Sequence, residues 1–338
     1  KMIVIGVTGT SGKSTTVDFI TRNFEEAGYK TASLSSVRFK IGDDEKKNQL
    51  KMTMPGRLVI QKFLRHALDA GCKYAVLEVT SEGIKQSRHK FINFNTAVFT
   101  NLSPEHIESH GGLEKYRSEK VKLFAATKNI HILNGDDEHL EYFIKNPAKK
   151  KYFFGITNEA VDVRAEHIEV AEGSLGFKLQ DTSFKLQVLG TFNIYNALAA
   201  ISVAVSEGIS LEVCKIALEK VAGIPGRMEV VSKTPLVVVD YAHTPEQLEK
   251  VYQTFSQAPS SKIQTSSLVC VLGSCGGGRD KWKRPELGKI AAKYCREIII
   301  TNEDPYDEDP LEIMEAVASG IENHDHSIVI DRKEAIKK

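Results

Sequence analysis

Residues 6–16 read GVTGTSGKSTT, and this stretch decides the fold class. It follows a short apolar run, MIVIGV at 2–7, and it precedes a segment that predicts a helix from about Lys13. The general phosphate-loop pattern G-x-x-x-x-G-K-[ST] would place its first glycine at position 7, where this chain has Val7. Gly-Lys-Ser-Thr between a strand and a helix still predicts a nucleotide-binding loop rather than a glycine-rich turn without a ligand.

The loop predicts which atoms would hold the phosphates and a metal ion. Its glycines let backbone N–H groups turn inward around phosphate oxygens, and the helix that follows presents its positive N-terminus. Lys13 would reach the β- and γ-phosphates, and the Ser14 hydroxyl would bind Mg²⁺. The predicted ATP-binding residues of the loop are Gly9, Thr10, Ser11, Gly12, Lys13, Ser14 and Thr15.

The composition excludes several classes of partner. Lys+Arg and Asp+Glu number 45 and 44, and this balance gives no support for binding to nucleic acid or to anionic membranes. No apolar run approaches the length of a membrane span, and no signal peptide is visible. The 5 cysteines lack C-x-x-C spacing, which favours reduced thiols in a cytosol over a zinc site. We expect a cytoplasmic monomer.

The periodicity of apolar residues predicts an α/β fold. Short buried strands, among them YAVLEV (74–79) and TAVFT (96–100), alternate with helical patterns to about residue 155, which predicts a P-loop doubly wound parallel sheet. Residues 161–188 alternate with period two, from Val161, Val163 and Ala165 onward, and predict a small antiparallel β patch.

The α/β alternation restarts near SKTPL (232–236) and predicts a second, Rossmann-like α/β domain. LVVVD (236–240) is expected to be its first strand, and the polar stretch 257–267 is expected to be a loop. We therefore predict two domains, 1–230 and 231–338.

Two charged residues in apolar surroundings extend the predicted site. Glu78 ends a predicted buried strand, and the carboxyl ends of parallel strands face the ligand crevice, where a carboxylate can bind Mg²⁺. A strand-end glutamate that simply meets solvent is the alternative. Lys120 falls on an otherwise apolar helical stripe, for which the residues alone favour snorkelling of the ammonium to water.

Several motifs together resemble the Mur ligase family of ATP-dependent amide-bond ligases. The loop has that family's form T-G-T-x-G-K-[ST]-T, and further matches are EVTS (78–81), NLSPEH (101–106), YRSEK (116–120), GTFNIYN (190–196) and DYAHTP (240–245). The resemblance covers nearly the whole chain. It implies that a uridine-binding domain would precede Lys1 and that a final strand with a G-K-G-H-E loop would follow Lys338.

The resemblance implies a metal site and further nucleotide contacts. Glu78 would bind the first Mg²⁺, His106 would help to hold a second, and Lys120 would be carbamylated by CO₂ so that it could bind that ion as an anion. Glu105 stands where the family usually has aspartate. The implied metal ligands are Ser14, Glu78, His106 and carbamylated Lys120, and the implied further ATP contacts are Asn193, Asn196, Arg227, Asp240 and His243. Helix capping is an additional role for Asn193.

Other segments resemble the branch of the family that adds a diamino acid to UDP-MurNAc-L-Ala-D-Glu. These are KMTMPGR (51–57), EVTSEGIKQSRH (78–89), GRMEVV (226–231) and GSCGGGRDKWKRPELG (273–288). They imply that Thr53, Ser81, Gln86 and Arg88 contact the UDP-sugar-peptide and that Arg279 holds the carboxylate of the amino acid. Glu82 and Met54 depart from the family's histidine and threonine.

The expected specificity segment departs most from the family. Enzymes that add meso-diaminopimelate read D-N-P-R, whereas this chain has Glu303, Asp304, Pro305 and Tyr306. Without arginine at 306 the distal carboxylate lacks its bidentate partner, and two acidic residues favour an amine. We therefore expect L-lysine or a shorter homologue as the amino-acid substrate. Folylpolyglutamate or poly-γ-glutamate synthesis, and a non-catalytic nucleotide-binding module, are the alternatives.

Overall fold

The computed structural model describes residues 1–50, 52–171, 173–256 and 268–338. Contacts divide the chain into two compact units, one of Lys1–Ser103 with Glu114–Val239 and one of Pro104–Leu113 with Asp240–Lys338. The expected domain boundary between residues 230 and 231 falls within the first unit and stays a prediction. The loop expected at 257–267 lies outside the described residues.

The first unit is built on a nine-stranded sheet with the order β4-β3-β2-β5-β1-β6-β7-β8-β9. Its strands are β1 (Ile3–Thr8), β2 (Thr31–Leu34), β3 (Arg38–Ile41), β4 (Asp44–Lys47), β5 (Tyr74–Glu78), β6 (Phe94–Phe99), β7 (Ile130–Asn134), β8 (Lys150–Gly155) and β9 (Val163–Arg164). Neighbouring strands from β2 to β9 pair in parallel, and β3 and β4 extend the β2 edge through antiparallel pairing, so that only β3 runs against the other strands. The prediction of a doubly wound parallel sheet is confirmed.

The strand order explains where a ligand would bind. Strands β2 and β5, which follow β1 in the chain, lie on one side of it in the sheet, and β6 to β9 lie on the other side. The direction in which successive strands are added therefore reverses at β1. Parallel α/β sheets bind ligands beyond the carboxyl ends of their strands at such a reversal. The GVTGTSGKSTT stretch therefore leaves β1 at the position in the sheet that suits a ligand best.

In the described part of the chain, seven helices belong to the first unit, and the helix that follows the loop packs against the sheet. The helices of the unit are α1 (Lys13–Glu26), α2 (Arg57–Asp69), α3 (Ser81–Lys85), α5 (Leu113–Ala126), α6 (Leu140–Ile144), α7 (Phe192–Ser206) and α8 (Leu211–Glu219). Phe24 of α1 stacks on Tyr74 of β5 with ring centroids 3.8 Å apart. Helix α7 is apolar on nearly every side, as its sequence FNIYNALAAISVAVS predicts for a buried helix.

The predicted antiparallel patch is present, but it begins later than expected. Strands β10 (Glu166–Ala171), β11 (Ser174–Leu179) and β12 (Thr182–Leu186) form a three-stranded antiparallel sheet. Val163 belongs instead to β9, which pairs in parallel with β8 and closes the edge of the main sheet. An alternation of apolar and polar residues predicts a strand, but it does not identify the strand that will pair with it. For this reason the sequence assigned Val163 to the antiparallel patch, which was wrong.

The strand expected at LVVVD is also placed differently. Strand β14 (Leu236–Val239) pairs antiparallel with β13 (Glu229–Lys233) in a two-stranded hairpin of the first unit, so it does not begin the parallel sheet of the second. Only Thr234 and Pro235 separate the two strands. A connection that short joins antiparallel neighbours, whereas parallel strands need a crossover of a dozen or more residues.

The second unit carries a three-stranded parallel sheet in the order β15-β16-β17. Its strands are β15 (Val269–Leu272), β16 (Glu297–Thr301) and β17 (His326–Val329), and its helices are α4 (Ile107–His110), α9 (Pro245–Ser256), α10 (Lys283–Tyr294), α11 (Pro310–Ala318) and α12 (Arg332–Lys337). Ile298 and Ile300 lie at the centre of its core and are fully buried. Among the described helices of the whole chain, none combines the length and the apolar character that crossing a bilayer requires.

Candidate functional site

The turn after β1 is built around two glycines. Gly9 has φ +154°, and a Cβ added there would lie 1.9 Å from Thr100 Oγ1. Gly12 has φ +77°, and a Cβ there would lie 2.1 Å from Asn196 Oδ1. Val7 is fully buried within β1, two residues before the chain turns. The general pattern would place its first glycine at position 7, but that position is still part of β1 in this chain. The turn begins at Gly9, which explains why the first glycine comes later.

The next strand of the sheet fixes the loop backbone. Thr10 N donates to Asn101 O at 2.8 Å, and Ser11 N donates to Asn101 Oδ1 at 2.9 Å. Thr100 Oγ1 donates to Ser11 O at 2.7 Å. Neither residue was singled out from the sequence, although Thr100 ends the quoted TAVFT segment and Asn101 begins NLSPEH. Their hydrogen bonds hold the loop in a shape that a phosphate group can enter.

Two lysine ammonium groups are directed at this loop. Lys13 Nζ donates to Gly9 O at 3.1 Å and to Thr10 O at 2.8 Å. Lys120 Nζ, on α5, donates to the same Gly9 carbonyl at 2.7 Å and lies 4.5 Å from the ring centroid of Tyr116. Lys120 is 1% exposed, so the snorkelling alternative is wrong. Burial of this ammonium beside the loop leaves a cation, or an anion after modification, next to any bound phosphate.

Glu78 and Ser14 form the oxygen-rich part of the site. Ser14 Oγ donates to Glu78 Oε2 at 2.9 Å, and Ser36 N donates to the same oxygen at 2.9 Å. Glu78 is 3% exposed, so the alternative of a strand-end glutamate in solvent is wrong. Arg227 Nη2 donates to the hydroxyls of Ser14 and Ser36, both at 3.2 Å. Ser36 was missed, and the rule that the carboxyl ends of parallel strands converge could have found it, because it follows β2.

These donor atoms suit the group that the loop predicts. Carboxylate and hydroxyl oxygens are the protein ligands that Mg²⁺ prefers, and a helix N-terminus with inward N–H groups is an anion site. The described residues contain no cluster of three or more His, Cys, Asp or Glu side chains arranged for a metal ion. The predicted ligand set of Ser14, Glu78, His106 and carbamylated Lys120 contains only two residues of those four types. This set therefore stays a prediction.

Asn196 lies against the glycine turn, and Asn193 supports it. Asn196 Nδ2 donates to Asn193 Oδ1 at 2.8 Å, and Asn193 Nδ2 donates to Leu189 O at 2.6 Å. The residue that precedes α7 is Thr191, so Asn193 is inside the helix and is not its N-cap. The two amides therefore form a short chain that orders residue 12 from the far side of the loop.

The residues expected to contact the UDP-sugar-peptide lie around α3. Arg88 bonds to the Met54 carbonyl and to Gln86, and Gln86 Nε2 donates to Glu82 Oε1 at 2.6 Å. Ser81 is the first residue of α3 and is 2% exposed. Thr53 is half-buried and precedes Met54. The structure brings Gln86 and Arg88 together beside this backbone, while their role as substrate contacts stays a prediction.

In the second unit, several predicted residues line one small pocket. Its lining residues are Tyr241, His243, Gly273, Ser274, Cys275, Arg279, Lys283 and Glu303. Arg279, His243 and Glu303 were predicted from sequence. Tyr241, Ser274, Cys275 and Lys283 were not, although all four lie in the quoted DYAHTP and GSCGGGRDKWKRPELG stretches. A cation and a carboxylate therefore face one space, as recognition of an amino acid requires.

Burial and nearby charges shift the pKa of two groups in this pocket, the Cys275 thiol and the Lys283 ammonium. Burial raises the pKa of the Cys275 thiol to about 11, and the nearby Glu303 carboxylate adds to this rise. Burial lowers the pKa of Lys283, against the opposing effect of Glu105. A thiol that stays protonated at neutral pH is a poor nucleophile, so Cys275 contributes shape and polarity to the pocket rather than covalent chemistry.

The remaining predicted residues of this unit lie in turns around the pocket. Tyr306 has φ +55° and is 58% exposed, and a Cβ added at Gly277 would come within 2.7 Å of its ring. The Asp304 carbonyl accepts from Gly276 N at 3.1 Å, and Asp240 Oδ1 accepts from Ala242 N at 2.7 Å. The 303–306 turn thus packs on the glycine-rich 276–278 turn. The ribose contact expected of Asp240 stays a prediction.

His106 belongs to a segment that the second unit holds. It lies at the start of α4, with φ +56°, and its Nε2 is 3.5 Å from Glu105 Oε1. His243 Nε2 lies 2.7 Å from the same Glu105 oxygen. His106 and His243 are therefore linked through one buried carboxylate.

Comparison with known proteins agrees with this geometry. Residues 7–204 match the Mur ligase middle domain, and residues 226–338 match the domain described as Mur ligase, glutamate ligase domain. The chain belongs to the Mur ligase family. This confirms the predicted family and the predicted class of enzyme, a ligase.

Individual relatives span most of the chain. A UDP-N-acetylmuramoyl-L-alanyl-D-glutamate–2,6-diaminopimelate ligase of Syntrophomonas wolfei is 38% identical over 99% of this chain and 69% of its own length. A UDP-N-acetylmuramyl-tripeptide synthetase of Roseiflexus sp. is 36% identical over 95% of this chain and 66% of its own length.

Solved structures share the fold. A diaminopimelate ligase structure matches 99% of this chain and 69% of its own, with 32% identity and a TM-score of 0.69. A folylpolyglutamate synthase structure from Mycobacterium tuberculosis matches 100% of this chain and 83% of its own, with a TM-score of 0.80. Because the identity is only 17%, this similarity shows the fold alone.

We predict that Gly9→Ala weakens nucleotide binding strongly. The added Cβ would collide with Thr100 Oγ1, whose hydroxyl also holds Ser11 O, so the loop would have to open. Titration with a fluorescent ADP analogue should show at least a tenfold loss of affinity, the equivalent of roughly 1.4 kcal/mol.

Gly28→Ala is the matched control. Gly28 also has a positive φ, +82°, but nothing lies within 4 Å of the added Cβ, so this change should cost only about 1 kcal/mol of stability. A folded Gly9→Ala protein that binds the analogue as tightly as Gly28→Ala would contradict the account of the loop.

Proposed function

We propose that this chain catalyses ATP-dependent amide-bond formation between the D-Glu γ-carboxylate of UDP-MurNAc-L-Ala-D-Glu and a diamino acid that ends in a bare ammonium group, with L-lysine favoured. The observation that carries the proposal is that one chain contains both a phosphate loop, backed by Glu78 and Lys120, and a pocket lined by Arg279 and Glu303. The phosphate loop would bind ATP, and the pocket would bind the amino acid.

The reaction would proceed in two steps with balanced atoms. The D-Glu carboxylate oxygen attacks the γ-phosphorus of ATP, the bond to the β-phosphate oxygen breaks, and an acyl phosphate and ADP form. The ammonium group first loses one proton to water, and the amine nitrogen then attacks the acyl carbon. The tetrahedral intermediate collapses as the nitrogen loses a second proton to water and the bond from the acyl carbon to the phosphate oxygen breaks, which gives the amide and phosphate. Positioning and electrostatic stabilisation provide most of the rate in such phosphoryl transfers.

Residues of the first unit have defined tasks in this scheme. Inward N–H groups of residues 9–12 would hold the β-phosphate, and Lys13 would exchange its bonds to the Gly9 and Thr10 carbonyls for phosphate oxygens. Ser14 and Glu78 would hold Mg²⁺, which offsets phosphate charge when it is bound. Arg227 already bonds to the Ser14 hydroxyl and would orient it. Carbamylated Lys120 would serve a second ion with His106.

The choice of amino acid depends on the pocket of the second unit. Arg279 would hold the α-carboxylate, because a guanidinium binds carboxylates bidentately. Glu303 lines the same pocket, and Tyr306 stands where family members that add diaminopimelate carry arginine. The relative from Syntrophomonas wolfei is named for 2,6-diaminopimelate, so our preference for lysine in this chain rests on residues 303–306.

We predict that the full-length protein has a higher kcat/KM with L-lysine than with meso-diaminopimelate. Tyr306→Arg should move the ratio toward diaminopimelate by about tenfold or more, because it supplies a charged partner for the distal carboxylate. Product formation from UDP-MurNAc-L-Ala-D-Glu, ATP and each amino acid measures this ratio.

Tyr306→Phe serves as the matched variant, since it keeps the ring on Gly277 and adds no charge. It should leave the ratio nearly unchanged. A clear preference of the unmodified protein for diaminopimelate would refute the lysine assignment, and ATP hydrolysis that ignores UDP-MurNAc-dipeptide would refute the proposed reaction as a whole.

We also predict that Lys120→Ala loses at least 100-fold in kcat and that formate or acetate restores part of it. A small carboxylate could occupy the space of the missing carbamate, and electrostatic groups of this kind contribute about 100-fold or more. Lys122→Ala, on the same helix but paired with Glu119 at the surface, should be close to unmodified protein. Absence of rescue at any carboxylate concentration, in a variant that still binds ATP, would argue against the carbamate.

A further inference from the structure

The segment Pro104–Leu113 leaves β6 of the first unit's sheet but makes its compact contacts with the second unit. It carries His106, which is proposed to bind a divalent ion. Sequence reasoning treated this segment as part of the nucleotide domain, at 1–230. Asp280 of the second unit holds this segment by hydrogen bonds to its backbone.

Asp280 binds two consecutive backbone amides of that segment. Its Oδ2 accepts from Ile107 N at 3.1 Å, and its Oδ1 accepts from Glu108 N at 2.9 Å. In return, Lys281 N donates to Glu108 Oε1 at 3.0 Å. Asp280 is 2% exposed, so these bonds are shielded from water. Charge-assisted hydrogen bonds of this kind are about twice as strong as neutral ones.

These amides follow directly after His106, whose backbone needs support. With φ +56° and ψ +27°, His106 is in the left-handed region, which costs a residue with a Cβ roughly 1–2 kcal/mol. Such a conformation persists only where the surroundings enforce it. Asp280 holds the chain after His106, and the pairing of Glu105 with His243 at 2.7 Å holds the chain before it.

We propose that Asp280 is a positioning residue that fixes His106 for divalent-ion binding, an inference that rests on the proposed function. Asp280 directly follows Arg279, which lines the amino-acid pocket. The same turn therefore lines the predicted amino-acid pocket and holds the segment that carries His106. If filling the pocket changes the affinity for the ion, the ion must change the affinity for the amino acid by the same factor.

The test compares Asp280→Asn with Asp331→Asn in the full-length protein. Asp331 is the comparison residue, an exposed aspartate at the start of α12 whose Oδ1 alone accepts from Lys333 N at 2.9 Å and from Glu334 N at 3.0 Å. At position 280 the two amides bond to different oxygens, so asparagine, which has one carbonyl oxygen, leaves one amide without its acceptor. At position 331 asparagine can keep both hydrogen bonds. Asp280→Glu keeps the carboxylate and should recover part of any loss.

Two quantities are measured. Hydrogen exchange without ligands should be about tenfold faster at residues 107 and 108 in Asp280→Asn, with the rest of the chain unchanged, because a charge-assisted bond is lost. Mn²⁺ affinity, from the electron paramagnetic resonance of free Mn²⁺ in the presence of a non-hydrolysable ATP analogue, should fall about tenfold, as is usual when a residue that orients a metal ligand is removed. Asp331→Asn should change neither.

Faster exchange with unchanged Mn²⁺ affinity would overturn the proposal, since Asp280 would then be only structural. Unchanged exchange would overturn it as well. An unmodified protein that binds no Mn²⁺ with the analogue would refute the proposed function itself, whatever the amides do, so the two failures are distinguishable.

Discussion

The carbonyl of Gly9 is the contact on which the candidate site depends. It accepts hydrogen bonds from two lysines, Lys13 of the helix that follows the loop and Lys120 of α5. Both ammonium groups are held close to the loop, and that of Lys120 is almost completely buried. An anion bound in the loop would lie close to both cations.

The rest of the first unit serves to keep this contact in place. The parallel sheet reverses its order at β1, so the loop, Glu78 at the end of β5 and Asn101 after β6 converge at neighbouring strand ends. Helix α7 presses Asn196 against Gly12 from the other side. The loop is thus shaped by at least three elements that are distant in sequence, and its conformation is a property of the whole domain rather than of the motif.

Much of this could be predicted from sequence, because the deciding signals are local. The strand–loop–helix context indicated the loop, and the carboxyl-end rule brought Glu78 to it. What could not be predicted depends on partners distant in sequence. The pairing of Arg227 with Ser36 has no periodic signal, and β14 looks like a buried parallel strand until the short connection to β13 forces a hairpin. Asp280 likewise has no sequence signal for its hydrogen bonds to the amides of residues 107 and 108.

The most direct test of the central claim is a crystal structure of the protein with Mg²⁺ and a non-hydrolysable ATP analogue. The account predicts the β-phosphate within hydrogen-bonding distance of the amides of the 9–14 loop, Lys13 released from the Gly9 and Thr10 carbonyls and turned to the phosphates, and the ion bound by the Ser14 hydroxyl near Glu78. A nucleotide bound elsewhere, with Lys13 still on those carbonyls, would contradict it.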